Sequence, residues 1–453
     1  MSTLLRPAPV MAPPSERALL ARACRVELRK VLAHWRTRLA LAACALGPLL
    51  FATVVPSLGS LPTDTLFGRW LQDSGLATPL VVLSFAGGWA LPLLTALVAG
   101  DIFAMEDRLG TWRSLLVAAG SSRRVFVAKA LVAASYTVSV VILLAVSSGA
   151  GGLLLVGHGA LPALDGRLMP VSQALPLVTA CWASVLLPAL AFAAVGLLCS
   201  VAFGRSPLGL GLPVLLALVQ QVAALVPMPA ALRVALPGHA FESWRGLLTE
   251  PQDLTAVLAG SVVSIAWAAA ATAMAYRLFR ARDFATPAFD GVGARAAGSS
   301  LAALVAVVVV AAGLVAAVTG QRGDGIDRRQ VESSITAVFA NLYVLQQREL
   351  ANPPVTVAGI GASASCDKGG QDVADRGPGN DWRCVLTWHV AGGSAPARAI
   401  YQLDVSADGR YVADGDGPKE VNGWFTVATP GGVRANPLWQ LDGLVDLFST
   451  GTT

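Results

Sequence analysis

Few side chains in this sequence have the type and spacing needed for covalent chemistry. The histidines His34, His158, His239 and His389 are far apart, and no His-Glu-x-x-His motif occurs, so neither a catalytic nor a structural metal has a ligand set. A Gly-x-x-x-x-Gly-Lys-Ser/Thr phosphate loop is also absent, and with it the usual means of holding ATP. Asp408, Asp414 and Asp416 stand among glycines, but their spacing is not that of a calcium loop, and turn residues at strand ends account for them. No acid, base and nucleophile cluster together. These absences exclude the common hydrolytic and metal chemistries, and nothing calls for a nucleic-acid partner. Three polar features remain to be placed: the amides Gln220 and Gln221, the pair Cys366 and Cys384, and a charge-dense segment over 101–129.

The elements that hold them are set by where charge is missing. Of 453 residues 55% are hydrophobic and 13% charged, about half the charged share of an ordinary soluble domain. Seven windows carry no charge at all: 39–63, 74–100, 130–164, 168–204, 206–232, 254–276 and 296–321. Each is long enough for the roughly 20 apolar residues that cross a bilayer. The expected fold is therefore mainly α, a polytopic helical membrane protein of about seven spans. Lys and Arg crowd the segment before the first span, the loop after the second and the segment after the sixth. The loops after the first, third and fifth are poor in them, which predicts a cytoplasmic N-terminus and an extracytoplasmic C-terminus in a cell (inner) membrane. Because the predicted spans hold no charge, a proton relay inside the bilayer is not expected. Gln220 and Gln221, the most polar residues mid-span, can line a substrate path or a subunit interface, or simply hydrogen-bond a neighbouring helix.

Five segments follow. Residues 1–15 are Pro-rich and expected to be disordered; 16–38 form an amphipathic helix on the membrane surface, or else a solvated basic lead-in. A six-span region covers 39–280, with 227–253 too apolar for a free loop and expected to fold back as short helices. A linker and the seventh span occupy 281–320. Beyond them, 321–453 has the composition of a small α+β domain. Its helix over 328–350 places Val331, Ile335, Val338, Phe339, Leu342 and Leu345 on one stripe. Strands are expected at 355–360, 383–390, 400–406, 410–413 and 424–428, with a short helix over 437–448. Cys366 and Cys384 are the only cysteines of this domain, and a disulfide between them suits an oxidising, extracytoplasmic compartment.

The most specific stretch runs Ala99-Gly100-Asp101-Ile102-Phe103-Ala104-Met105-Glu106-Asp107-Arg108-Leu109-Gly110-Thr111-Trp112-Arg113-Ser114-Leu115-Leu116, followed by Ser122-Arg123-Arg124 and Lys129-Ala130. It resembles permeases of type II ABC exporters, in which the second span runs into an acidic residue, a Gly-Thr pair and a helix ending in Leu-Leu. The resemblance covers roughly 16–280. It implies a coupling helix over 101–116 that docks on a cytoplasmic ATPase, with Glu106 anchoring the loop and Gly110-Thr111 setting its turn. Asp101, Arg108, Arg113, Arg123 and Lys129 would complete that contact. ATP and Mg would then sit on the ATPase subunit, with no cofactor in this chain. A second permease copy or paralogue, and membrane lipid, would be the other partners.

The seventh span and the outer domain depart from the six-span form. They leave open a receptor for substrate, a gate on the exit or a docking point for an envelope partner. The function implied is thus the permease subunit of an ABC exporter, a transport subunit and not an enzyme. The alternative is a membrane-anchored extracytoplasmic sensor or binding protein.

Overall fold

The computed structural model describes residues 15–57, 74–164, 166–204, 206–223, 226, 228–249, 252, 254–282, 284, 293–319, 325–369, 373–390 and 395–447. Residues 1–14 of the segment expected to be disordered over 1–15, and residues 283, 285–292 and 320 of the linker and seventh span expected over 281–320, lie outside the described residues.

Helix α1 (Glu16–Ala33) starts at Ser15, whose hydroxyl accepts from the Ala18 amide, and stops where His34 turns extended. Helix α2 (Trp35–Ser57) follows directly. The second apolar stretch is two α-helices, α3 (Ala77–Phe85) and α4 (Leu91–Ala99), joined by a π-helical turn at Ala86–Ala90. Pro92, which has no amide hydrogen to donate, sits just past that turn. Two short helices, α5 (Ala104–Leu109) and α6 (Trp112–Ala119), lead into the long α7 (Ser122–Gly151). Then come α8 (Val171–Ser184), α9 (Leu186–Phe203) and α10 (Ser206–Ala223), a short α11 (Ala230–Val234), and α12 (Leu254–Arg280) and α13 (Gly293–Thr319).

Helix α9 is apolar all round and almost wholly buried, as a helix enclosed by others must be. Its most extensive pairing is with α12, and it also packs against α4, α7 and α10. Helices α1 and α2 lie against α7. The chain is a polytopic helical membrane protein with a small α+β domain.

Among the described residues, five helical stretches are long and apolar enough to cross a bilayer: Trp35–Val54, Ala77–Leu109, Ser122–Val156, Val171–Phe203 and Leu254–Arg280. The fifth and seventh expected spans are apolar helices with shorter cores, Pro207–Val222 and Ala302–Ala317. A charge-free window measures sequence, whereas crossing requires helix: the 18 residues of α10 reach about 27 Å at 1.5 Å per residue, just short of a ~30 Å hydrocarbon layer.

The C-terminal domain packs one helix, α14 (Arg328–Glu349), on a five-stranded antiparallel sheet. Its strands are β1 (Ile360–Lys368), β2 (Gly379–Val390), β3 (Ala397–Val405), β4 (Arg410–Gly415) and β5 (Gln440–Leu444), in that order. The stripe Val331, Ile335, Val338, Phe339 and Leu342 is buried against Trp382, Leu386, Tyr401 and Leu403. Cys366 and Cys384 are directly opposite on β1 and β2 and form a disulfide.

Two expectations for this domain fail. The first strand begins at Ile360, where the expected strand over 355–360 ends, and the last segment is a strand in place of the helix expected over 437–448. Leu441, Leu444, Val445 and Phe448 mimic helical spacing, but Gly443 lies where any side chain would collide with the Tyr411 ring, a close approach that fixes the β4–β5 pairing.

This domain rests on two loops at one end of the helical region. Gly166, at φ +81, lies under Leu342 with no room for a Cβ. The segment after α10 does fold back as short helices, α11 and two 3-10 turns at His239–Phe241 and Ser243–Leu248, with Phe241, Trp244 and Leu248 buried. Its His239, Glu242 and Arg245 line a small cavity with Asp408 and Arg410 from the domain. Arg245 pairs with Glu242 at 2.8 Å and Arg410 with Asp408 at 2.6 Å.

Burial pushes the His239 pKa down to about 4; Asp408 opposes the shift, and Arg233, Arg245 and Arg410 reinforce it. Burial would raise the Asp408 carboxyl, yet Arg410 and Arg245 outweigh it and hold the group below its ordinary value. A histidine whose folded pKa is depressed stabilises the contact fully above its free value of 6.5, and that contribution fades as pH falls towards 4. Asp408 adds its loss only below its own ordinary range. Thermal unfolding of the full chain in detergent should therefore lose about 2–3 kcal/mol between pH 6.5 and 4. His239→Gln should flatten that window, and superimposable profiles for the two proteins would contradict the assignment.

Candidate functional site

At the end of the helical bundle opposite the domain, the chain leaves α4 through Gly100 and Asp101 and turns at Phe103 into α5. Gly100 abuts Gly209 of α10 so closely that a Cβ on either would meet the other's carbonyl, which allows α4 and α10 to cross backbone to backbone. The amides of Phe103 and Ala104 both donate to the Ser200 hydroxyl of α9, at 3.2 and 3.1 Å. The loop is thereby pinned to the buried central helix. The expected single helix over 101–116 is in fact two: Gly110 adopts φ +63 and caps α5, and α6 starts afresh at Trp112. A left-handed residue ends a helix, so Gly110 breaks the run that composition alone presents as continuous.

The inner face of this elbow carries four charges. Lys129, at the start of the third span and fully buried, donates from Nζ to Glu27 Oε2 at 2.8 Å, Glu106 Oε1 at 2.9 Å and the Ile102 carbonyl at 2.9 Å. All three ammonium protons are used. Lys30 of α1 closes the ring, donating to Glu27 Oε1 at 3.1 Å and Glu106 Oε1 at 2.8 Å. Two cations thus alternate with two anions, and the cluster is neutral. Burial opposes the charge on Lys30, but Glu106 and Glu27 outweigh it and raise its pKa. Thr111 donates its hydroxyl to Glu106 Oε2, and the Phe103 and Trp112 rings each lie 5.8 Å from the Lys129 ammonium.

A second clamp holds the outer half of the elbow. Asp107 accepts from Trp112 Nε1 at 2.6 Å and from Arg282, just past α12. Trp112 and Phe103 join Phe126 and Phe279 in one aromatic cluster. Arg124 donates to both carboxylate oxygens of Glu16, at 2.8 and 2.9 Å. The elbow is therefore tied to α1, α7, α9 and α12, while its outer surface is open. Arg108, Leu109, Arg113 and Val117 are exposed, Leu109 by 62% and Val117 by 83%.

Of the residues singled out from sequence, the structure brings Glu106, Thr111 and Lys129 together. Asp101 and Arg108 face each other at 3.7 Å, and Gly110 forms the elbow. Arg113 and Arg123 remain on the surface. Gln220 and Gln221 lie elsewhere: Gln220 accepts from the Gly238 amide and Gln221 donates to the Gly88 carbonyl at 3.2 Å. Each ties α10 to a neighbouring element.

Glu27, Lys30, Asp107 and Arg282 also belong to these ion networks, and sequence reasoning misses them as members. The signal for the first two is their position on the α1 stripe of Leu20, Cys24 and Val31, where an Arg-rich helix hides a buried acid. Among the described residues no group of acids, histidines and cysteines is placed to hold a metal ion.

Residues 36–224 match the family model described as ABC-2 family transporter protein. The match takes in the first spans, the elbow and α10, and this segment is similar to ABC-2 type permeases. It ends before α12, α13 and the C-terminal domain. No curated protein matches the chain.

Removing one member of a buried ion cluster leaves an uncompensated charge and costs about 3–5 kcal/mol. Lys129→Met should therefore lower the thermal stability of the purified protein by that order, and adding Glu27→Gln should restore part of it. Unchanged stability in the single variant, or no recovery in the double, would show that the cluster does not hold the elbow.

Proposed function

We propose that this chain is the permease subunit of an ABC exporter and that it couples ATP hydrolysis by a separate cytoplasmic ATPase to substrate movement out of the cell. The observation that carries the reading is the braced elbow inside a segment of ABC-2 type. Its inner face is fixed by buried ions, and its outer face offers Leu109 and Val117 beside Arg108 and Arg113, the mixture of apolar anchors and arginine that protein interfaces favour. Force applied there reaches α1, α7 and α9 through specific bonds and not through a flexible loop. ATP and Mg belong to the ATPase, and a second permease copy or paralogue would complete the pathway.

The elbow then lies in the cytoplasm, beside the Lys- and Arg-rich segments. With α10 and α13 as the fifth and seventh spans, residues 321–453 lie outside, where the disulfide is stable. In this arrangement α1 is the interfacial helix of 16–38, 39–280 the six-span permease and 281–320 the connection to the outer domain. The contact of that domain with the loops 157–170 and 229–248 supports one shared side for all three.

Docking is tested with exposed residues, because substitution of Glu106 would cost stability as well. In pull-downs of the ATPase from native membranes at matched expression, Val117→Asp and Arg113→Glu should each reduce recovery about tenfold or more, as loss of interface anchors does. Their thermal stability should equal that of the wild type. Equal ATPase recovery in all three would reject the docking role, and no ATPase with any of them would favour a sensor.

A further inference from the structure

A cavity of about 290 Å³ opens between the α1–α2 junction, the start of the elbow and α10. We infer that it is a binding site for the phosphodiester headgroup of an anionic phospholipid. Its polar wall is the first turn of α2. Trp35, Arg36 and Thr37 line the cavity, and amides at these first helical positions have no acceptor within the helix, so they present an anion-binding end. Thr37 supplies a second and independent indication: it lines the cavity and is only 4% exposed, yet its hydroxyl makes no hydrogen bond among the described residues. Arg36 and Arg108 both line the cavity, Arg108 paired with Asp101 at 3.7 Å. His34 is engaged with the Met105 sulfur at 2.9 Å. Two guanidinium groups against one carboxylate leave the cavity positive.

The remaining wall decides between a lipid and a free anion. Leu97 and Leu210 line the cavity from α4 and α10. On α2 the exposed Leu39, Leu46 and Leu50 run down the helix from the cavity, a path for acyl chains. Trp35, 68% exposed, stands at the junction as tryptophans do at a membrane interface. The volume is at the lower end of small-ligand pockets, about 300–1,000 Å³, which suits a headgroup and not a whole lipid. Basic pockets between spans hold anionic headgroups in this way. Because Asp101, Met105 and Arg108 belong to the loop and elbow, a bound headgroup joins the elbow to the α1–α2 junction. The site does not depend on an ATPase partner.

The test uses the purified full-length protein in mild detergent, titrated with phosphatidylglycerol or phosphatidylcholine and read by native mass spectrometry. The wild type should retain one phosphatidylglycerol in clear preference to phosphatidylcholine. Arg36→Gln should weaken that retention about tenfold, as loss of a charge-assisted hydrogen bond does. Thr37→Val, which keeps the shape and removes only the hydroxyl, should weaken it several-fold, while Arg25→Gln on the exposed face of α1 should leave it unchanged. Equal retention of the two lipids, or equal loss in all three variants, would overturn the assignment. Displacement of the bound lipid by millimolar inorganic phosphate would overturn the lipid part and leave a phosphate site.

Discussion

The organisation of this protein depends on Lys129. A buried ammonium is tolerated only when its charge is matched and its protons are all donated, and here that requirement draws three separate segments to one point. Glu27 comes from α1, Glu106 from the elbow and the Ile102 carbonyl from just past α4. Lys30 then balances the second carboxylate. The elbow helices cannot fix their own position: α5 has six residues and α6 eight, below the length at which helices are stable alone. The ion cluster, with the aromatic group around Trp112, gives this short, charged stretch a defined shape.

A packed route connects that cluster to the far end. Ser200 receives the elbow amides at one end of α9. Phe192, two turns earlier, meets Phe241 of the folded-back loop at 5.7 Å, and that loop carries His239 and Arg245 to the domain. Contiguity supplies a route for coupling, and a two-state element is needed to use it.

Legibility in sequence differs by element. The apolar helices can be read because a long window without charge leaves a soluble protein no solvated face. The stripe of α14 is equally clear, since Val331, Ile335, Val338, Phe339 and Leu342 keep one period throughout. The last strand is hidden, because its leucines happen to fall at helical spacing and what rules out a helix, the Tyr411 ring over Gly443, is tertiary. At the site, Glu106 and Lys129 stand out as charges at the margins of spans, whereas Glu27 does not. An acid in an arginine-rich segment looks solvated until the helix is docked, and only the docked face shows that it points inward. Gly110 is recognisable as a turn, but the full break it makes in the helix depends on its left-handed conformation.

The central claim is that charge pairing at Lys129 holds the elbow in shape and ties it to α1. Hydrogen exchange of the full chain in nanodiscs tests it directly, comparing wild type with a charge-balanced variant carrying Lys129→Met and Glu106→Gln. The account predicts faster exchange in both Ala104–Ala119 and Glu16–Ala33, with Leu254–Arg280 unchanged. Exchange that stays at the wild-type rate in both segments would contradict it.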